Sequence, residues 1–210
     1  MINQILLYIA LLAGCVPLVL FLIKGCSVNK HRGVFALLCL LAFSSVYECI
    51  VSICFRVNIT AWYWVYSLLE FAAIWYSFKI LVVQRPKWFF LTFLGLFLLL
   101  YCYSFIYLVD YPVFIFKAIN KGFVTIFVLL SSFLWVRQVF EQKVILRLYQ
   151  ESSFYVVMGL FFYYSTTISL FILSNYIYHH DADFNGYWLV NIISSLILRI
   201  ILSISVWKMK

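Results

Sequence analysis

Glu48, Glu70 and Arg199 stand inside stretches of sequence that are otherwise almost wholly apolar. Carrying a charge to the centre of a bilayer costs at least about 2.5–3.5 kcal/mol, so a residue kept there pairs, faces hydrated space or binds something. Each has polar company at helical spacing. Ser44, Ser45 and Ser52 lie one turn from Glu48, and Tyr63, Tyr66, Ser67 and Ser77 lie one to two turns from Glu70. Asn191, Ser195, Arg199 and Ser203 form a stripe at every fourth position. Tyr163, Tyr164, Ser165, Thr166, Thr167, Ser169 and Asn175 supply a further polar stretch. At ~1.5 Å per residue, Glu70 and Arg199 fall ~15 and ~18 Å below one membrane face, and Glu48 ~10 Å below it. The pattern supports two readings. One is a Glu70–Arg199 clamp that sets helix register; the other is a site for a small ligand, a cation or a proton.

A second cluster, His179, His180, Asp181 and Asp183, offers imidazole and carboxylate donors of the kind that hold zinc or another divalent ion. Adjacent histidines converge poorly on one ion, and no second cluster completes the set, so a solvated loop is the default reading. Catalytic signatures are missing. There is no Gly-x-Ser-x-Gly nucleophile and no His-Glu-x-x-His zinc motif. The histidines are His31, His179 and His180, none of them mid-span, which excludes paired histidine ligation of haem. The last apolar run carries Arg199 where a Schiff base would need lysine. The chain therefore reads as a protein without catalysis and without a cofactor.

The elements that must position these residues are transmembrane helices. Hydrophobic residues make up 67% of the 210 positions and charged residues 10%, far from soluble composition. Seven apolar runs, 2–23, 33–55, 60–82, 88–109, 120–136, 152–177 and 187–207, each approach the ~20 residues that span a bilayer. The expected fold is all-α: a single polytopic membrane domain over 1–210 with seven transmembrane helices. The net charge of +8 does not imply nucleic acid, because it is segregated. Lys24, Lys30, Arg32, Lys79, Arg85, Lys87, Arg137, Lys143, Arg147, Lys208 and Lys210 fall on one side, and only Arg56, Lys117 and Lys121 on the other. The positive-inside rule then puts the N-terminus outside and the C-terminus inside, with the basic face meeting anionic lipid head groups.

Packing can be anticipated in the same way. GxxxG spacings are lacking, so aromatics, 21% of the chain, are expected to fill the interior. Trp62, Trp64, Tyr66, Trp88, Tyr107, Tyr111, Tyr176, Tyr178, Tyr187 and Trp188 mark the outer interface, and Trp135 and Trp207 the inner one. Pro17 is the one expected kink, and runs 1, 4 and 5 look lipid-facing. The polar seam should lie between helices 2, 3, 6 and 7. The segment from Arg137 to Glu151 alternates apolar and charged residues in a helical manner, suggesting an inner-leaflet helix. Its Arg137, Lys143 and Arg147 are candidate docking residues for a partner. The six cysteines avoid the predicted outer loops and read as packing residues. Leu12-Ala13-Gly14-Cys15 matches a lipoprotein cleavage box, but no Lys or Arg precedes it and the sequence stays apolar after it. Asn58-Ile59-Thr60 is a glycosylation sequon only in a host that uses one.

Three stretches then carry a resemblance: Tyr47-Glu48-Cys49 through Trp62-Tyr63-Trp64-Val65-Tyr66-Ser67-Leu68-Leu69-Glu70-Phe71; Phe154 through Phe171-Ile172-Leu173-Ser174-Asn175-Tyr176; and Trp188-Leu189-Val190-Asn191-Ile192-Ile193, closing on Trp207-Lys208. Together they resemble small seven-helix inner-membrane proteins of Bacteroidota that accompany sensor histidine kinases. The resemblance implies an inner-membrane sensory role, a signalling partner such as a histidine kinase, and family-typical positions for Glu48, Glu70, Asn175 and Asn191. It does not cover Arg199. The function expected first is a non-catalytic sensor or accessory protein whose seam, with Tyr63, Tyr66, Ser67, Asn191 and Ser195 beside the charges, detects a small ligand or protonation. A proton-coupled permease using Glu70 and Glu48 is the alternative, and a structural subunit or immunity protein the third.

Overall fold

A segment that avoids water must satisfy its own backbone N–H and C=O groups, and the α-helix does this within one stretch of chain. The structure, a computed structural model, describes residues 2–55, 60–83, 87–106, 113–141, 148–179 and 184–209. Seven α-helices account for nearly all of them: α1 (Ile2–Ile23), α2 (Arg32–Tyr47), α3 (Thr60–Leu81), α4 (Lys87–Ile106), α5 (Val113–Glu141), α6 (Ser152–His179) and α7 (Phe184–Lys208). Among the described residues there is no strand. Five of the helices, α1, α2, α5, α6 and α7, are long and apolar enough to cross a membrane, and α4 adds a shorter apolar stretch, Trp88–Ser104. The outward faces are apolar too: Leu12, Leu99 and Phe133 are 73%, 70% and 67% exposed. Such a surface suits lipid rather than water.

Of the boundaries that differ from the expected runs, two matter most for the site. Helix α5 begins at Val113, seven residues before the expected start at 120, so Lys117 is helical and Lys121, counted with the outer-side charges, lies two turns inside the helix. The lysines lowered the local hydropathy and hid this turn of helix. At the other boundary, α2 passes directly into a π-helical segment, Glu48–Cys54, whose first residue is Glu48. Helix α1, by contrast, runs continuously through Pro17. The π-helical backbone therefore begins at a half-buried carboxylate and not at the proline, and π segments often mark functional positions.

Each helix packs on its neighbours in the chain, and α7 closes onto α1. Helix α3 also touches α5 directly. These contacts make a ring of six helices, α1, α2, α3, α5, α6 and α7, with α4 lying outside against α3 and α5. The expectation that helices 1, 4 and 5 face lipid therefore holds only in part. Helix α5 buries Asn120, Thr125, Ser131, Ser132 and Gln138. An aromatic layer ties α3, α4 and α5 together: Phe71 stacks on Phe97 at 3.9 Å, and Phe127 lies 5.4–6.1 Å from Phe71, Phe78 and Phe93. Hydrogen bonds from Trp75 Nε1 to the Phe90 carbonyl and from Tyr101 Oη to the Trp64 carbonyl pin α4 to α3. Trp62 and Trp135, read as interfacial, are buried in packing, whereas Trp88 and Trp207 are exposed.

Small residues also set two helix crossings. A Cβ on Gly14 would come 1.9 Å from Ser45 Oγ and 2.8 Å from Ser45 Cβ, so α1 and α2 can approach only where residue 14 lacks a side chain. A Cβ on Gly33 would lie 3.0 Å from the Ser77 Cα, and Ser77 Oγ donates to the Gly33 carbonyl at 2.8 Å. At the ring's far end, Lys24 Nζ donates to the carbonyls of Val206, Trp207 and Met209, capping α7 from the end of α1. Gly14→Ala should lower stability by about 1–3 kcal/mol, the usual cost of overpacking. Gly95→Ala, whose Cβ meets nothing within 4 Å, should be neutral or slightly stabilising. Thermal unfolding of the purified protein in lipid nanodiscs checks both; equal effects would contradict the packing described.

Candidate functional site

Glu70, on α3, is 5% exposed. Its partner is Lys121 on α5, whose Nζ lies 2.5 Å from Oε1, with the two side chains 6% and 12% exposed. Arg199, expected in that role, does not hold it. The pair became possible because α5 starts early and α3 and α5 are adjacent. Tyr164 Oη donates to the same carboxylate oxygen at 2.8 Å and Tyr66 Oη at 3.5 Å. Lys121 Nζ also sits 5.5–5.7 Å from the ring centres of Tyr66, Tyr163 and Tyr164, close enough for cation–π attraction. A buried ion pair survives only with good geometry and added hydrogen bonds. Three tyrosines provide that here.

Arg199, on α7, points to a different place. Its Nη2 donates to Ser45 Oγ on α2 at 3.3 Å, while Nη1 is buried with no hydrogen-bond partner among the described residues. Next to it, Tyr163 Oη donates to Asn191 Oδ1 at 3.3 Å. Thr166 Oγ1 lies 3.0 Å from Ser194 Oγ and adds a second α6–α7 link.

These groups enclose a cavity of about 290 Å3 inside the ring. All six ring helices contribute and α4 does not: Leu7, Ala10 and Leu11 from α1; Leu41 and Ser44 from α2, with Glu48 at the π segment; Tyr63, Tyr66 and Ser67 from α3; Lys121 from α5; Tyr163 from α6; Trp188, Asn191, Ile192, Ser195 and Arg199 from α7. Successive helices alternate in direction, so these positions gather toward the end of the bundle nearest the N-terminus, with Tyr163 and Arg199 near mid-helix. A smaller pocket of about 60 Å3 lies beneath, bordered by Glu70, Tyr164 and Arg199. Directly below lie the fully buried Leu38, Ile74, Phe78, Leu160 and Leu202, with Ser77, Ser131, Ser132, Gln138 and Ser205 among the buried polar residues of that half. The site is thus a polar recess with opposite charges in its wall and an apolar floor.

Among the expected site residues, Glu48, Tyr63, Tyr66, Ser67, Asn191, Ser195 and Arg199 meet around the main cavity, and Glu70 closes its base through Lys121. The side chain of Asn175 lies outside the described residues. So do the side chain of His179 and residues His180, Asp181 and Asp183; no group of three or more metal-ligating residues occurs among those described. Arg137 is exposed and pairs with Glu141 at 2.8 Å on the last turn of α5, while Lys143 and Arg147 lie outside the described residues. Five cysteines, Cys15, Cys26, Cys39, Cys49 and Cys102, are free thiols. The sequence reading missed Lys121 and Tyr164's role; the signal available was the i, i+4 spacing of Lys117 and Lys121 with Asn120 between them.

Removing either member of the Glu70–Lys121 pair alone should strongly destabilise the fold, by about 3–5 kcal/mol, because the other charge stays buried. Glu70→Gln with Lys121→Met should recover most of this, giving a coupling energy of about 1 kcal/mol or more, whereas Glu70→Gln with Arg199→Met should be additive. A double-mutant cycle in nanodiscs reads both. Coupling to Arg199 instead of Lys121 would contradict the assigned pairing.

No protein-family model, no curated protein and no solved structure matches this chain, and the functional reading rests on the geometry of the residues themselves.

Proposed function

We propose that this chain is a seven-span membrane protein that binds a small ligand in the cavity of the helix ring and hands the bound state to a separate protein, with no catalysis of its own. The observation that carries the reading is the cavity. It brings Glu48, Lys121 and Arg199 together with Tyr63, Tyr66 and Tyr163 in the interior of a lipid-suited bundle, and such sites are concave, largely apolar and fitted with a few placed polar groups. Charges held in a membrane interior by a scaffold alone would be expected to pair completely. Arg199 does not.

The proposed topology has the N-terminus outside and the C-terminus in the cytoplasm of the cell, in a bacterial inner membrane. Its support is the charge asymmetry, which sharpens once Lys121 is removed from the loop count, leaving Arg56 and Lys117 on the outer side. The cavity would then open from the outside, and the basic face, with Lys24, Lys30, Arg32, Arg137 and Lys208, would meet anionic lipid and a signalling partner such as a histidine kinase. Helix α7 supports a route between the two. It lines the cavity with Asn191, Ser195 and Arg199, and its last carbonyls accept from Lys24 at the opposite face. A proton-coupled permease is the competing reading; the leucines that close the lower pocket, Leu37, Leu160 and Leu198, favour the sensor.

Gently extracted wild-type protein should carry a small-molecule adduct by native mass spectrometry, and Ser195→Phe, which fills the cavity, should not. An unliganded spectrum for both proteins, under conditions that retain lipid, would sink the ligand-binding reading. A fluorescent-protein fusion after Lys210 should fluoresce and an alkaline-phosphatase fusion there should be inactive; the reverse would invert the topology.

A further inference from the structure

Resting on the ligand-binding reading above, we propose that the occupant of the cavity is a dipolar ion: a compact apolar or aromatic body bearing one carboxylate and one ammonium group. Four formally charged side chains border the cavity and the pocket beneath it, Glu48, Glu70, Lys121 and Arg199. Their formal charges cancel. Lys121 and Glu70 neutralise each other in direct contact. Arg199 has no such contact. Its one side-chain hydrogen bond goes to a neutral serine, it forms no ion pair among the described residues, and Nη1 is buried without a partner. A guanidinium presents five N–H donors in a fork that matches a carboxylate.

Charge balance then selects the class. A simple carboxylate entering this site would leave it with a net negative charge, and a simple amine with a net positive one. Either is costly where the surroundings are apolar. A ligand that carries both signs gives Arg199 its anion and keeps the interior neutral. Its ammonium has a place on the opposite sign of the wall, Glu48. That carboxylate has interactions already, yet a carboxylate offers about four acceptor positions. Tyr63, Tyr66 and Trp188, also in the wall, are rings of the kind that attract a cation, as the Tyr66 ring does Lys121 at 5.7 Å. Leu7, Ala10, Leu11, Leu41 and Ile192 supply an apolar surface for the body of the molecule. The 290 Å3 of space corresponds to roughly ten waters at ~30 Å3 each, the scale of an amino acid with a large side chain.

The test uses three probes that share a phenylethyl body, phenylalanine, 3-phenylpropanoate and 2-phenylethylamine, titrated calorimetrically into the full chain in nanodiscs. Phenylalanine should bind at least tenfold more tightly than either single-charge analogue. Arg199→Gln and Glu48→Gln should each weaken it about tenfold or more, the ratio that ~1.4 kcal/mol represents. Arg199→Gln should also weaken 3-phenylpropanoate and spare 2-phenylethylamine, with Glu48→Gln doing the opposite. Where Arg199→Gln does not fold, Arg199→Lys, which keeps the charge and loses the fork, should still weaken phenylalanine. Equal affinity for 3-phenylpropanoate, unaffected by Glu48→Gln, would make this an anion site and overturn the proposal. So would equal affinity for 2-phenylethylamine, or no binding of any probe at millimolar concentration. A native adduct on wild-type protein without phenylalanine binding would remove the dipolar class and leave ligand binding standing; the absence of both would remove both.

Discussion

The contact between Lys121 and Glu70 constrains where every other helix can go. Two opposite charges taken out of water cost several kcal/mol each in desolvation, and only close contact with further hydrogen bonds offsets that. Meeting at 2.5 Å requires α3 and α5 to lie side by side. Helix α4, which the chain must traverse between them, is therefore excluded from the ring and packs on its outside, held by Trp75, Tyr101 and the Phe71–Phe97 stack. With α4 outside, α6 and α7 close the ring against α5 and α1. Tyr164 then reaches Glu70 from the far wall. One buried pair thus decides which six helices enclose the polar space.

That space is confined to one end of the bundle because the residues that line it are. Tyr63, Tyr66 and Ser67 lie in the first turns of α3, Lys121 in the early part of α5, and Asn191 and Ser195 in the early part of α7. Helices α3, α5 and α7 run in the same direction, so these positions share one end. Past Glu70 and Arg199 the core is mostly Leu, Ile, Val and Phe, with Ser77, Ser131, Ser132, Gln138 and Ser205 as buried polar members. The π segment at Glu48 belongs to the same end. A π turn shifts the phase of the residues that follow it, so Glu48 keeps the helical register of Ser44 and Ser45 while the remainder of the segment is released from it.

The helices were legible in the sequence for a strong reason: a lipid-suited segment has hardly another way to satisfy its backbone. Glu48, Glu70, Asn191, Ser195 and Arg199 were legible as interior residues for an equally strong one, the cost of polar groups in hydrocarbon. Who pairs with whom was not. Equal depth made Arg199 a fair partner for Glu70, but depth is one coordinate, and the neighbour relations of helices are fixed by long-range packing. Lys121 was misplaced because a long lysine lowers hydropathy even where its methylene stem packs well and its head is neutralised. Helices α1 and α5 looked lipid-facing because helix α1 lines the cavity with Leu7, Ala10 and Leu11, apolar residues that no periodicity distinguishes from lipid contacts. Trp62 misled in the reverse direction. It sits near a boundary as an interfacial residue would, yet it is buried with its ring stacked 4.1 Å from Tyr47.

The two interior cations make an instructive contrast. Lys121 has a carboxylate, two hydroxyls on that carboxylate and three aromatic faces around it. Arg199 has one serine hydroxyl and a nitrogen with none of these. If buried charge served only to align helices, the second arrangement would be a poor solution, since leucine or methionine of similar volume would pack as well without the desolvation cost. Departures from local consistency of this kind tend to sit where a molecule works rather than where it is merely held together. Gly14 strengthens the point. Its missing side chain lets α1 pass close to Ser45 and the Arg199 guanidinium, since a Cβ there would lie 3.3 Å from Arg199 Cζ. The close α1–α2 approach thus walls in a cation that has, among the described residues, one serine hydroxyl and no counter-charge in contact.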